Sequence, residues 1–123
     1  KKLNDSYGHT VGDQLLIHAA QLIRLCLRED DLPARLGGEE FAILLPRADL
    51  RIGQAVAERI RKHIEQTPFI MGEDNIPMTI SIGLTHIDIQ DLDQTVRRAD
   101  RALYASKANG RNKTVVWTAS LDR

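Results

Sequence analysis

Three stretches of the chain repeat apolar residues at the three- and four-residue intervals of an amphipathic helix. They predict helices from about Gly12 to Arg28, from Asp49 to about Gln66, and from Asp91 or Asp93 to Asn109. Asp is a favoured N-cap residue, and Asn109-Gly110 is typical of a helix end. The residues expected to face the core are Val11, Leu15, Ala19, Leu22 and Cys26 in the first helix, Ile52, Val56, Ile60 and Ile64 in the second, and Leu92, Val96, Ala99 and Leu103 in the third.

Shorter apolar runs between these helices predict strands. Leu32–Leu36 and Phe41–Leu45 flank Gly37-Gly38, which predicts a hairpin because glycine tolerates the positive φ of tight turns. The second run is continuously apolar, which is typical of a strand covered on both faces. Further strands are expected at residues 68–71, 78–85 and 114–117.

A last helical turn is expected at the start of the chain, from Lys1 to Tyr7, ending at Gly8. The predicted element order is then α-α-β-β-α-β-α-β. This order indicates an α/β (α+β) protein, with an antiparallel or mixed sheet and helices on one side, rather than a doubly wound parallel sheet.

Composition narrows the class of protein further. The chain has 123 residues, which is enough for one domain with its own core. The chain has 17 Lys and Arg residues and 17 Asp and Glu residues, so its formal net charge is zero. It therefore has no excess of positive charge that would favour binding to nucleic acid or to a membrane surface. The single cysteine excludes an internal disulfide and fits a reducing compartment such as the cytoplasm. No apolar run reaches membrane-spanning length.

Two adjacent carboxylates follow the paired glycines directly. Glu39 and Glu40 lie where the predicted turn meets the second strand, and neighbouring acids raise the cost of ionising both. A divalent cation removes that conflict, so the hairpin is the candidate active site. Successive strand residues point to opposite faces, which makes Glu39, nearer the turn, the better ligand. The alternative interpretation is a solvated acidic turn.

The segment Gly37-Gly38-Glu39-Glu40-Phe41 resembles the motif of the GGDEF family in its GGEEF form. Members of that family make cyclic di-GMP from two GTP molecules. The resemblance implies a ferredoxin-like, nucleotide-cyclase palm with a mostly antiparallel central sheet flanked by helices. It also implies Mg²⁺ or Mn²⁺ held by Glu39 and Glu40, a catalytic role for Glu39, and nucleotide contact at Gly37 and Gly38.

The segment from Asn4 to Asp13 resembles the family's pattern of Asn-Asp, then Gly-His, then Gly-Asp. A carboxylate accepts hydrogen bonds from the N1–H and 2-amino group of guanine, a pair of donors that adenine lacks. The resemblance implies that Asn4 and Asp13 hold guanine, that His9 lines the pocket, and that Lys1 assists with phosphate. The alternative for Asp13 is a favourable interaction with a helix N-terminus.

The segment from Ala99 to Asn112 resembles the family's closing motif, in which a lysine precedes Gly-Arg-Asn. The resemblance implies that Lys107 and Arg111 hold the β- and γ-phosphates and stabilise departing pyrophosphate. The alternative is that these cations only complement the dipole at the end of a helix.

An Arg-x-x-Asp motif, Arg28 to Asp31, precedes the hairpin. The family carries an inhibitory product site with this motif at this spacing. The resemblance implies that Arg28 clamps cyclic di-GMP, that Asp31 assists, and that Arg59 completes the site. This motif also leaves open a second function, in which the chain is a non-catalytic module that binds cyclic di-GMP.

The resemblance extends from Lys1 to about Trp117, so we expect a single GGDEF domain over residues 1–123. The family's first strand, with its metal-ligand aspartate, precedes the lysine that matches Lys1, and we expect the domain to be truncated there. The activity of this chain alone stays open. The two-fold symmetric product implies a homodimer of domains, and a sensory or regulatory domain is expected upstream, with any membrane anchor elsewhere.

Overall fold

The computed structural model describes residues 9–37 and 39–122, without the side chains of residues 9 and 10. The predicted helix from Lys1 to Tyr7 lies outside the described residues. The elements are α1 (His9–Leu25), β1 (Leu32–Gly37), β2 (Glu40–Leu44), α2 (Leu50–Gln66), β3 (Phe69–Met71), β4 (Asp74–Ile76), β5 (Ile82–Leu84), α3 (Leu92–Ala108), β6 (Thr114–Val116) and a 3-10 helix (Ala119–Asp122).

The described strands form three pairs. β1 and β2 are an antiparallel hairpin, β3 and β4 form a second one, and β5 and β6 are parallel. The α/β class is therefore confirmed, with antiparallel pairing in the majority. β4 was not predicted, because its residues Asp74 and Asn75 are more typical of turns than of strands.

Caps define two of the helices. The Asp49 carboxylate accepts a hydrogen bond of 2.8 Å from the N–H of Ile52 and starts α2, and Asp91 starts α3 in the same way through Gln94. The two helices end where the sequence predicts, at Gln66 and Ala108. The first helix begins at His9 and ends at Leu25, about three residues before the predicted bounds.

The core lies between α1 and α2. Leu22, Ile23, Cys26, Val56, Ile60 and Ile64 form one buried cluster. Phe41 and Ile43 of β2, together with Ile82 of β5, pack against it. The predicted stripe of α1 is confirmed from Leu15 onwards, whereas Ile52 of α2, predicted to face inward, is 40% exposed.

Within residues 9–37 and 39–122, only one face of the β1–β2 hairpin is covered. Phe41 and Ile43 face the core, while Leu32 and Leu44, which are cross-strand partners, are exposed on the opposite face. The prediction that the run Phe41–Leu45 is covered on both faces is therefore wrong. Its apolar outer face is left uncovered by the described residues.

Helices flank both faces of β5, so the expectation of helices on one side is wrong. A Cβ atom on Gly83 would lie 2.3 Å from the backbone nitrogen of Leu103 in α3. A Cβ atom on Gly53 of α2 would lie 3.3 Å from the Leu84 side chain. Neighbouring residues of β5 thus contact different helices.

The buried face of α3 differs from the prediction. Leu92 and Val96 are 60% and 58% exposed, whereas Ala102 and Ser106 are fully buried. Backbone atoms of Ala99 and Leu103 lie closest to Gly83, so these two predicted positions do lie against β5, and the prediction is wrong at Leu92 and Val96. Within residues 9–37 and 39–122, no helix is long and apolar enough to cross a membrane.

Candidate functional site

The tip of the β1–β2 hairpin carries the acidic pair. Gly37 has a φ of 126°, a conformation that favours glycine. A Cβ atom on Gly37 would have no heavy atom within 4 Å in the described part of the chain, its sequence neighbours aside. The pairing is irregular between Arg35 and Gly37, and Gly37 pairs with Glu40. Leu36 is therefore an extra residue in β1, a bulge at the end of that strand next to the turn. Gly38 lies outside the described residues.

Both carboxylates at this tip are exposed. Glu39 lies in the turn and Glu40 is the first residue of β2, as predicted. Their oxygens are the hard donors that Mg²⁺ and Mn²⁺ favour. Among the residues that the structure describes, no group of three or more His, Cys, Asp or Glu side chains could hold a metal. The two glutamates therefore fit such an ion as part of a ligand set that other oxygens must complete.

The residues predicted to bind guanine are described only in part. Lys1 and Asn4 lie outside the described residues, and His9 is the first residue of α1, with its side chain outside the description. Asp13 is exposed in the second turn of α1. Their roles stay predictions.

The predicted phosphate-binding residues lie at the end of α3. Lys107 is exposed in the last turn of the helix, and Arg111 is exposed in the loop that follows. The Arg111 N–H donates to the Ser106 carbonyl at 3.0 Å, which holds the loop against the helix terminus. Lys107 and Arg111, four residues apart in the sequence, therefore lie at the same junction of helix and loop.

Arg28 and Asp31 form a compact pair after α1. The Asp31 carboxylate accepts hydrogen bonds from Arg28 at N (2.7 Å), Nε (3.1 Å) and Nη2 (2.8 Å). The Asp31 side chain is 0% exposed, and Arg28 Nη2 also donates to the Pro46 carbonyl at 2.6 Å. These hydrogen bonds from Arg28 lower the pKa of Asp31, although burial opposes them, and they raise the pKa of Arg28.

Arg59 extends this cluster from α2. Its Nη2 donates to the Cys26 carbonyl at 2.7 Å, near the end of α1, and its charge also lowers the pKa of Asp31. The structure therefore brings together the three residues predicted for the inhibitory site. Their role in binding product stays a prediction.

Sequence reasoning missed a polar cluster centred on Arg61 of α2. Arg61 contacts Glu58, Glu65 and the loop residue Asn112. The spacing of Glu58, Arg61 and Glu65 signals ion pairs along one helix. The contact with Asn112 spans 51 residues and has no local sequence signal.

Comparisons with known proteins give one consistent family. The family model for "Diguanylate cyclase, GGDEF domain" matches residues 1–113. Diguanylate cyclase A of Treponema denticola is 43% identical over 125 residues, which cover 100% of this chain and 34% of that protein. This chain therefore spans about a third of that relative's length.

Solved structures agree with this result. The diguanylate cyclase SiaD of Pseudomonas aeruginosa, in complex with its activator SiaC, has a TM-score of 0.88 and 40% identity over 94% of this chain and 45% of that one. The coiled coil and GGDEF domain of DgcB from Caulobacter crescentus, in complex with c-di-GMP, has a TM-score of 0.84 and 31% identity over 92% and 61%. This chain belongs to the GGDEF-domain family of diguanylate cyclases.

Proposed function

We propose that this chain is a catalytic domain that condenses two GTP molecules into cyclic di-GMP, with release of pyrophosphate. The observation that carries the proposal is the hairpin tip, where a turn at Gly37 leaves the consecutive residues Glu39 and Glu40 exposed. Because these acids are exposed at a tight turn, their oxygens are accessible to a nucleotide–metal complex, which suits binding of such a complex better than a structural role. The sequence identity to named diguanylate cyclases supports the same reaction.

The reaction requires two copies of the domain in a homodimer. Each GTP presents its 3′-oxygen to the α-phosphorus of the other, a P–O bond forms in line, and pyrophosphate leaves with the bond that breaks. The 3′-hydroxyl proton goes to a base, for which Glu39 is our candidate. Bound Mg²⁺ or Mn²⁺, held by Glu39 and Glu40, supplies charge stabilisation at the phosphates.

The remaining residues bind and orient the nucleotide in this proposal. Asp13 accepts from the guanine edge, with Asn4 and His9 completing the base pocket. Lys107 and Arg111, exposed at the end of α3, hold the β- and γ-phosphates. Positive charge at these oxygens stabilises pyrophosphate as it leaves.

The cluster of Arg28, Asp31 and Arg59 is our proposed site for product inhibition. Arg28 is partly exposed and is already oriented by the buried Asp31 carboxylate, so it offers a planar donor set to guanine and phosphate. The c-di-GMP complex of the related DgcB domain supports this class of ligand.

Control of the activity is proposed to come from outside this domain. The curated relatives are longer than this chain, and SiaD is named with an activator, which supports regulation by a further domain or partner protein. Because GTP is an intracellular metabolite, we propose that the domain works in the cytoplasm.

The test is cyclic di-GMP formation from GTP and Mg²⁺ by the full-length protein. We expect product from the wild type and a much weaker inhibition by cyclic di-GMP in Arg28→Ala. Arg24→Ala, which removes an exposed arginine from the last turn of α1, is the matched control and should leave inhibition unchanged.

Failure would take different forms for the two candidate functions. Absence of both product and GTP binding in a folded preparation would contradict the cyclase proposal. Cyclic di-GMP binding without turnover would favour the non-catalytic binding module instead. Unaltered product affinity in Arg28→Ala would exclude this inhibitory site.

A further inference from the structure

Three consecutive residues after α3 have left-handed backbone conformations. The φ angles are 112° at Gly110, 63° at Arg111 and 49° at Asn112. Glycine adopts such values freely and asparagine does so more readily than most residues, but arginine does not. Non-glycine residues adopt this conformation at an energetic cost, so surrounding contacts must maintain it at Arg111 and Asn112.

Arg61 of α2 supplies those contacts across the fold. Its Nη1 donates to Asn112 at Oδ1 (3.1 Å) and lies 3.4 Å from the Asn112 carbonyl oxygen. Glu65, one turn further along α2, accepts from Asn112 Nδ2 at 2.7 Å. Both polar ends of the Asn112 side chain are therefore held by α2.

Arg61 itself is fixed by the helix that carries it. Its Nε and Nη2 each donate to the Glu58 carboxylate at 2.9 Å, in a paired geometry that lysine cannot reproduce. The Arg61 side chain is only 15% exposed. Hydrogen bonding to Glu58 raises the pKa of Arg61 and lowers the pKa of Glu58, so the pair stays charged well below neutral pH.

Further contacts hold the loop on its other sides. The Asn112 N–H donates to Ser81 Oγ at 3.2 Å, just before β5. The buried Ser106 hydroxyl donates to the Lys113 carbonyl at 2.7 Å. Arg111 thus lies in a segment fixed on both sides, while its own side chain stays exposed.

We propose that Arg61 is a positioning residue for GTP: by holding Asn112, it fixes the backbone from which Arg111 reaches the triphosphate. The proposal rests on the proposed phosphate role of Arg111. Arg61 itself contacts protein groups and acts on the nucleotide only through the loop.

The experiment measures GTP affinity and steady-state kinetics of the full-length protein with Arg61→Gln, Arg111→Ala and the double variant. We expect Arg61→Gln to raise the KM and Kd for GTP about five- to tenfold, with product inhibition unchanged. In the Arg111→Ala background the same substitution should have no further effect on GTP affinity. Arg97→Gln is the control and should leave both constants unchanged, because it removes an exposed arginine that donates to Gln94 on the same helix.

Amide hydrogen exchange gives a second readout. The N–H groups of Arg111 and Asn112 are both hydrogen-bonded, so Arg61→Gln should speed their exchange while the amides of α1 keep their protection. If Arg61→Gln does not fold, Arg61→Lys retains the charge beside Glu58 but cannot also hold Asn112. It should show the same changes.

The outcomes separate this inference from the proposed function. Suppose that Arg111→Ala binds GTP more weakly, while Arg61→Gln and Arg61→Lys bind GTP with wild-type affinity. That result overturns the positioning role of Arg61 and leaves the cyclase proposal standing. Additive losses in the double variant also overturn it, because Arg61 would then act on another part of the site. Wild-type GTP affinity in Arg111→Ala overturns the phosphate role itself and the inference that depends on it.

Discussion

The β1–β2 hairpin and the β5–β6 pair are both two-stranded units, but they are covered very differently. The hairpin packs one face against the core through Phe41 and Ile43 and exposes Leu32 and Leu44 on the other. The β5–β6 pair has α3 against Gly83 and α2 against Leu84. The hairpin carries the proposed metal ligands at an exposed tip, whereas the β5–β6 pair anchors the loop of Arg111.

Because of this difference, substitutions in the two units should affect different properties of the molecule, activity at the hairpin tip and stability at β5. Side chains at the hairpin tip contribute little buried area, so changing them should alter activity more than the free energy of unfolding. Positions in β5 lie between two helices, so changing them should lower the free energy of unfolding.

The largest expected effect is at the hairpin tip. Glu39→Gln removes a charged oxygen ligand and the candidate base, so we expect cyclic di-GMP formation to fall about 100-fold or more. The thermal midpoint should change little, because Glu39 is exposed. Glu73→Gln, at the exposed turn between β3 and β4, is the matched control and should keep full activity. A Glu39→Gln enzyme as fast as wild type would contradict the hairpin as the active site.

The next effect is at β5. Gly83→Ala places a Cβ atom 2.3 Å from the Leu103 nitrogen and 2.4 Å from the Ala99 oxygen. Both are backbone atoms of α3, so neither can move away without moving the helix. We expect a loss of about 2–3 kcal/mol in the free energy of unfolding, measured in urea. Gly53→Ala is the control, since its Cβ atom would meet only the ends of the Leu84 side chain at 3.3 Å. It should change stability by less than about 1 kcal/mol. Equal stabilities for the two variants would show that α3 does not lie so close to β5.

Acid should lower the free energy of unfolding through two arginine–carboxylate pairs, Arg28–Asp31 and Arg61–Glu58. The folded-state pKa values of Asp31 and Glu58 are lowered, chiefly by Arg28 and Arg61. At pH values between the folded pKa values and the ordinary carboxyl value of about 4, the unfolded chain therefore binds more protons than the folded chain. The stabilisation is complete above that value and is lost as pH falls below it. Unfolding measured from pH 6 to pH 3 should show this loss, and Asp31→Asn should flatten the profile and cost about 1–2 kcal/mol at pH 7. An unchanged profile in Asp31→Asn would contradict the buried pair.

The smallest expected effect is on the outer face of the hairpin. Leu32→Ser should change the free energy of unfolding by less than about 0.5 kcal/mol, because that side chain is already exposed. Ile43→Ser, on the opposite face of the same hairpin, should cost several times more, since Ile43 packs against the core. Similar costs at both positions in urea unfolding would show that the outer face is covered in solution.

Local signals predicted much of the fold. Asp49 and Asp91 are side-chain caps whose effect is confined to one helical turn, so α2 and α3 were located well. The end of α1 was predicted too late, because hydrogen bonds from Cys26 to Ile23 and from Leu27 to Arg24 tighten the chain after Leu25.

Contacts distant in sequence could not be predicted in this way. The part of α3 that lies against a strand is set by Gly83 in another element, and helical spacing alone did not show that Leu92 and Val96 are exposed. The candidate site shows the same limit. Motifs identified Glu39, Arg28 and Arg111, each in a short segment, whereas the link from Arg61 to Asn112 exists only after the chain has folded.

Cys26 gives the molecule a practical property. It is the chain's only cysteine, it is buried beneath α2, and burial raises the pKa of its thiol although Arg59 opposes the shift. The thiolate is the form that attacks maleimides, so the buried thiol of the native chain should resist maleimide dyes. A fluorophore attached through Ala42→Cys, on the exposed face of the hairpin, would therefore report on the tip at a single defined site.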